Sequence, residues 1–400
     1  MAVTDAVGVG RGDFRRFWVA GAVNRLGSHV SGLALPIVVL AAGGGPGTAG
    51  LVGTVGAAAE LAASPAAGVY ADRWPRRTML VGSALLAALA MGAVAIGVAT
   101  GTVPLALLFA AAAVEGLATS AYAAAASGAI RAVLPADNPE AAVGALQARE
   151  QGAQLVGPGV GGGLYQLTPW APFLADTVSY LLAAACIRSI RTDLGPVRAE
   201  AAAAPSTFRA ELAEGVRYVA GKPFLRFVAV WAGGVNLVLG GLYFFVIVVA
   251  RLRGSAPGAI GAALTAAGVA GLAGALLGPA LLRRVRPRVV VIAASWLLVA
   301  AVALAWASTT LWAYAVMLGA VSAAVPVLSI LFQSKAILGT PDGLQGRVAT
   351  ALDLSSRAAG AAAPLLAGTL AATLAPATAA ACFAAALAAL AVYAAAGMGR

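Results

Sequence analysis

Apolar residues in this chain come in long, nearly unbroken runs, not at the two-residue or 3.6-residue intervals that mark half-buried strands and surface helices. A hydrocarbon core about 30 Å thick takes about 20 apolar residues per helical span. Twelve runs suit that length: 14–42, 48–71, 77–100, 103–134, 140–167 and 171–188, then 224–250, 256–282, 288–307, 311–334, 343–372 and 376–397. Strands of a membrane barrel would instead alternate over about 10 residues each. The pattern therefore predicts an all-α integral membrane protein with twelve transmembrane helices. The first stretch, MAVTDAVGVGRGDFRRFW, has no short apolar region leading to a small-residue cleavage site, so the first run is expected to remain as a helix.

The one long polar interruption, Arg188 to Lys222, divides the runs six and six. It predicts an amino-terminal bundle over 1–188, a cytoplasmic linker over 189–222 and a carboxy-terminal bundle over 223–400. Within the linker, Phe208, Leu212, Val216 and Val219 fall at helical spacing beside Glu211, Glu214 and Arg217, which predicts an amphipathic helix lying along the membrane face. The halves also look related: GVYADRWPRR after the second run has a counterpart in GPALLRRVRPR after the eighth. Parallel repeats of this kind mark one architecture of transporters.

Composition agrees, with 61% hydrophobic residues and 10% charged, where soluble proteins carry roughly 25%. The net charge of +11 comes mostly from arginine, with no aromatic-interleaved basic patch to suggest nucleic acid. Its placement instead suggests topology. With the amino terminus inside, twenty Lys and Arg residues fall in cytoplasmic segments and only Arg251 and Arg253 in external ones, the bias expected of inner, cytoplasmic-membrane proteins. Both termini are then cytoplasmic. Two cysteines, Cys186 and Cys382, and one histidine, His29, leave no disulfide framework and no multi-histidine metal site, so neither a metal nor a cofactor is expected.

Gly68, Asp72, Arg73, Arg76 and Arg77 in GVYADRWPRR resemble the G-x-x-x-D-R-x-x-R-R signature between the second and third helices of the major facilitator superfamily. GPGVGG, from Gly157 to Gly162, resembles that superfamily's antiporter signature. NRLGSHVSGLALP, AREQGAQLVGPGVGGGLY and PFLADTVSYLLAA are similar to the branch of bacterial macrolide-efflux and enterobactin-exporter proteins. The resemblance covers nearly the whole chain and implies two six-helix bundles, alternating access and proton-driven export of small amphipathic molecules by a monomer in the lipid bilayer. Uptake of a metabolite is the alternative within transport. An integral-membrane enzyme is the alternative outside it, and a single histidine gives that little to work with. One departure stands out: Leu282 occupies the place of the signature aspartate in the second copy.

The glycines of GPGVGG also fit the G-x-G-x-x-G dinucleotide fingerprint, which requires a strand before it and a helix opening after it. Here they lie inside an apolar run with Pro158 among them, so Gly157, Pro158, Gly161 and Gly162 are expected to let a neighbouring helix approach. GVRYVAGK resembles a phosphate loop, but its glycines are spaced wrongly and Pro223 follows its lysine.

Ionisable groups at membrane depth are costly and usually face a cavity. Arg25 and His29 lie one turn apart in the first run, Glu60 in the second, Glu115 in the fourth, Arg149 and Glu150 in the fifth, Asp176 in the sixth, and Asp353 with Arg357 in the eleventh. Glu60 and Glu115 have no basic residue within a turn of their own helix, so they stand as proton-coupling candidates, with His29, Arg25, Arg149 and Glu150 beside them. The resemblance implies a cavity lined by the first, fourth, seventh and tenth helices. Asn24, His29, Glu115, Tyr122, Asn236, Tyr243 and Gln333 are its candidate wall residues. Asp72, near the start of the third helix, is expected to act as a cytoplasmic gate.

Overall fold

The computed structural model describes residues 2–135, 138–195, 208–307, 310–338, 340–341 and 344–397. Among them every regular element is a helix. The order is α1 (Ala2–Ala41), α2 (Pro46–Arg73), α3 (Arg76–Thr100), α4 (Leu105–Val133), α5 (Pro139–Leu167), α6 (Ala171–Arg188) and α7 (Phe208–Gly221). There follow α8 (Pro223–Leu252), α9 (Pro257–Arg284), α10 (Pro287–Ala307), α11 (Leu311–Leu338), α12 (Gln345–Thr373) and α13 (Pro376–Gly397). Leaving α7 aside, each helix matches one apolar run within about a turn, except that α1 begins earlier. The reason is local: hydrocarbon offers no water to backbone N–H and C=O groups, so an apolar run satisfies them within itself.

Among the described residues, eight helices are long and apolar enough to cross a membrane: α1, α3, α4, α6, α8, α9, α11 and α13. The runs behind α2, α5 and α12 are diluted by glycine and by polar side chains such as Glu60, the Arg149–Glu150–Gln151 cluster, and Asp353 with Arg357. Helix ends follow local rules. Gly43 and Gly101 take positive φ values of 85° and 72° just past α1 and α3, which a residue bearing Cβ disfavours. Asn138 caps α5 by accepting from the Ala141 N–H at 3.0 Å, with Pro139 following it.

Two compact units emerge from the packing. The first comprises Met1–Gly44, Val55–Ala202 and Ala256–Ala262. In it α1 packs on α4, α5 and α6, and α3 packs on α4 and α6. Phe17, Leu80, Ala125, Ala129, Ala183 and Ile187 form a core rich in alanine, which allows close helix approach. Glycines set the tightest crossings. A Cβ on Gly161 would lie 2.5 Å from the Val30 carbonyl oxygen, one on Gly157 would overlap His29, and one on Gly116 would overlap the Gly56 carbonyl oxygen. Gly162 lies equally close to the backbone of Pro257 and Gly261, at the start of α9.

The second unit comprises Gly45–Thr54, Ala203–Ser255 and Ala263–Arg400. Here α8 packs along α12, and α10 packs against α11 and α13. Phe227, Trp231, Val235, Val291 and Leu328 fill one core, and Phe245 meets Phe383 with ring centroids 5.6 Å apart. The first turns of α2 lie on α12, where the Leu365 N–H donates to Thr54 Oγ1 at 3.0 Å. The apolar face of α7 is covered by protein: Leu212 and Val219 pack with Leu225, Val348 and Ala351 of α8 and α12. Arg347 forms an ion pair with Glu214, and Gly215 lies against the Arg347 backbone. Val216, grouped with the apolar face from its spacing, is 50% exposed. The side chains of Phe208 and Glu211 lie outside the described residues.

Candidate functional site

The polar interior of the first unit is built where α1, α4 and α6 meet. Along α1, Asn24, Ser28 and Ser31 recur at intervals of four and three, which places them on one face. Ser28 and Ser31 satisfy the residual needs of that face by donating to the Asn24 and Gly27 carbonyls. Opposite them on α6, Asp176, Ser179 and Tyr180 occupy a matching face. Tyr180 donates to Glu115 Oε1 of α4 at 3.0 Å, and its hydroxyl also lies 3.0 Å from Ser28 Oγ. Asp176 accepts from Ser31 and Ser179. Beside this network a cavity opens between α1, α3, α4 and α6, with polar lining from Asn24, Arg25, Ser83, Thr119, Tyr122 and Tyr180. Its remaining walls are alanines of α3 and α4.

Of the coupling candidates, Glu115 is half-buried and held by the Tyr180 hydroxyl, with no ion pair among the described residues. Glu60 lies on α2 where Gly116 brings α4 close: a Cβ on Gly116 would be 3.0 Å from the Glu60 nitrogen. Arg25 pairs with Glu150 across α1 and α5 at 3.1 Å, each side chain 38% exposed. Arg149 donates to the Phe17 and Trp18 carbonyls at 3.4 and 3.3 Å and lies over the Phe17 ring. Gly21 makes room for its guanidinium. Both arginines are thus engaged away from Glu115. His29 is half-buried with its Cβ against Gly157.

The wall candidates divide between the units. Asn24, Glu115 and Tyr122 gather around the cavity and network of the first. Asn236 and Tyr243 lie two turns apart on α8 in the second; Asn236 Nδ2 donates to the Ala232 carbonyl at 2.9 Å and Tyr243 is 39% exposed. The side chain of Gln333 lies outside the described residues. Asp353 and Arg357 form the expected i,i+4 pair at 2.7 Å on the exposed face of α12.

The arginine motif joins α2 to α3. Asp72 and Arg73 are exposed at the end of α2, and Gly68 has open space where a Cβ would be. Arg76 donates to the Gly128 carbonyl at 3.0 Å and to that of Gly195 at 3.3 Å; Arg77 donates to that of Thr192 at 2.9 Å. Asp72 makes no hydrogen bond or ion pair among the described residues.

Two acids escaped selection from sequence. Asp13, fully buried on α1, accepts from the Arg191 and Thr192 N–H groups at 2.9 and 2.7 Å and from Thr192 Oγ1 at 2.7 Å. It therefore clamps the segment that Arg76 and Arg77 hold from the other side. Asp176 was only one ionisable group among several. Its partner Ser31 is 145 positions away, and a lone serine in an apolar run carries no signal of such a pairing.

Among the described residues, eight helices of membrane-crossing length and a buried polar network define a multi-pass helical membrane protein. The chain belongs to the Major Facilitator Superfamily, whose family model matches residues 17–364. It is accordingly a transporter and not an enzyme. No curated protein matches its sequence. Among solved structures it is similar to the nucleoside transporter NupG, with a TM-score of 0.76 at 10% identity, covering 97% of this chain and 99% of that one. A bacterial homologue of the iron transporter ferroportin, in an inward-facing state, gives 0.71 at 16% identity, with the same two coverages of 97% and 99%. A bacterial homologue of the human lysosomal transporter Spinster gives 0.70 at 15% identity, covering 97% and 92%.

Proposed function

We propose that the chain exports small amphipathic organic molecules in exchange for protons, from a cytoplasmic (inner) membrane with both termini inside. The observation that carries this reading is the Glu115–Tyr180 hydrogen bond, which holds a carboxyl in the helical interior without a basic partner among the described residues. A carboxyl so placed gains or loses its charge by proton transfer alone. Ionised, it draws the Tyr180 hydroxyl as a charge-assisted donor; protonated, it needs that donor less. A change of charge inside the bundle is what alternating access requires of a coupling ion.

The adjoining cavity is water-sized in this conformation, about 10 Å³, so it is the mixed character of its lining, Asn24, Thr119 and Tyr122 beside alanine walls, that supports an organic cargo. On α8, Asn236 and Tyr243 are proposed as further cargo contacts. Export is supported by the resemblance of GPGVGG to the antiporter signature and of the surrounding segments to the macrolide-efflux and enterobactin-exporter branch. One structural neighbour is a nucleoside transporter and another a homologue of an iron transporter, so the fold leaves the choice of molecule to side chains. The skewed distribution of Lys and Arg supports the orientation.

Inverted membrane vesicles containing the overproduced chain test the reading, with ethidium and a panel of amphipathic antibiotics as cargo. Accumulation should follow an imposed pH gradient, collapse with an uncoupler and be lost in Glu115→Gln, which keeps the side-chain shape but cannot titrate. Accumulation that ignores the uncoupler, or that is the same in Glu115→Gln, sinks the proposal.

A further inference from the structure

Asp176 is fully buried on α6, and the coupling role proposed for Glu115 makes no use of it. Its Oδ2 accepts from Ser31 Oγ at 2.5 Å and its Oδ1 from Ser179 Oγ at 3.2 Å. A Cβ on Gly27 would overlap both Asp176 Oδ1 and Ser179 Oγ, so the carboxyl rests directly on the α1 backbone with no layer of water between. One turn along α6, Tyr180 binds Glu115 and meets Ser28 Oγ, itself one turn from Ser31 on α1. One chain of hydroxyls thus links the two carboxyls: Ser31 and Ser179 reach Asp176, and Tyr180, one turn along α6 and in contact with Ser28 of α1, reaches Glu115.

Of the basic residues on the surrounding elements, Arg15 of α1, Arg73 of α2, Arg131 of α4 and Arg188 of α6 are exposed toward the helix ends, and the others are engaged elsewhere. On α1, Arg25 pairs with Glu150 of α5, Arg16 pairs with Asp13, and His29 lies against Gly157. On α3, Arg76 and Arg77 bind the Gly128, Gly195 and Thr192 carbonyls. On α5, Arg149 binds the Phe17 and Trp18 carbonyls. The acid whose charge reaches Asp176 is Glu115 of α4, and Glu115 in turn feels Glu60 of α2. Among the described residues the groups that bond these two carboxyls are hydroxyls, and a second ionised carboxylate beside the first meets like-charge repulsion with little water to screen it.

We propose that Asp176 and Glu115 form one proton-binding site in which the two carboxyls are not ionised together, so that Asp176 is a second proton carrier. Glu115, half-buried, is the member nearer to exchange; Asp176, sealed beneath it, holds charge or proton according to the state of its neighbour. The inference extends the proton-coupling reading of Glu115, but its test needs neither cargo nor gradient.

That test is an infrared titration of the full-length protein in lipid bilayers, following the carbonyl stretch of protonated carboxyls and identifying it by its shift in D2O. Wild-type protein should lose this signal from the pair in two separate steps. Asp176→Asn and Glu115→Gln should each remove one step and move the midpoint of the other by at least about one pH unit, a tenfold change in proton affinity. If Asp176→Asn leaves the titration unchanged, or if each variant deletes its own step and leaves the other in place, the shared site does not exist. Should Asp176→Asn fail to insert, Ser31→Ala removes a donor from Asp176 and none from Glu115. It should move the Glu115 step as well, and an unmoved Glu115 step overturns the proposal. Vesicle transport in Glu115→Gln judges the coupling reading separately, because the titration is measured without transport.

Discussion

Replacing Asp13 by alanine removes an acceptor from four donors at once. Its side chain is fully buried, and its Oδ2 takes the Arg191 and Thr192 N–H groups and the Thr192 hydroxyl, while Oδ1 takes Arg16 at 2.7 Å. Arg16 is 41% exposed and regains water, so its loss counts for about 0.2–1 kcal/mol at most. The two backbone donors matter more. Each left without a partner costs roughly 1–3 kcal/mol when buried, and less where water reaches it, as at exposed Arg191. A local loss of about 2–4 kcal/mol is expected, which corresponds to roughly 30- to 700-fold faster opening of this segment at about 1.4 kcal/mol per tenfold. Hydrogen exchange at the Arg191 and Thr192 amides measures it directly. Amides in the middle of α3 and α4 should keep their protection, and Arg16→Ala should leave the two amides nearly as slow as in wild type. Unchanged exchange at both amides in Asp13→Ala would refute the clamp. Because Arg76 and Arg77 hold the same segment through carbonyls, the result also tells whether the arginine motif alone can retain it.

Two further outcomes follow from the packing and the motif. Gly161→Val places branched carbon where a Cβ already comes within 2.5 Å of the Val30 carbonyl oxygen; a loss of about 1–3 kcal/mol is expected in thermal unfolding in detergent, whereas Gly32→Ala, with open space around it, should be tolerated. Equal stability of the two variants would mean that α1 and α5 do not cross at these glycines. Asp72→Asn touches an exposed carboxylate with no described partner, so it should leave insertion and unfolding temperature unchanged; slower ethidium transport in vesicles would then report a gating role in another conformational state, and wild-type transport would leave the residue without one.

The helices were legible in the sequence because the driving force is local: an apolar run in lipid must bond its own backbone, so run length and flanking glycine, proline and asparagine suffice to place α2 to α6, α8 to α13 and all but the start of α1. The pair Asp353 with Arg357 was legible for the same reason, since both partners lie one turn apart on one helix. The faces of the helices were not. In water a buried face is apolar and the other polar, but here lipid and neighbouring helices are both apolar, so alanine and glycine appear on every side and no periodicity tells which side meets protein. The amphipathic α7 shows the limit even where a face exists, because Leu212 and Val219 are covered by α8 and α12 while Val216 is not. Tertiary structure alone joined Asp176 to Ser31, Tyr180 to Glu115 and Asp13 to Thr192, over 145, 65 and 179 positions of sequence. Sequence marked which acids are costly to bury; which hydroxyl or amide makes that burial tolerable depends on helix crossings set by glycines whose only contribution is the side chain they lack.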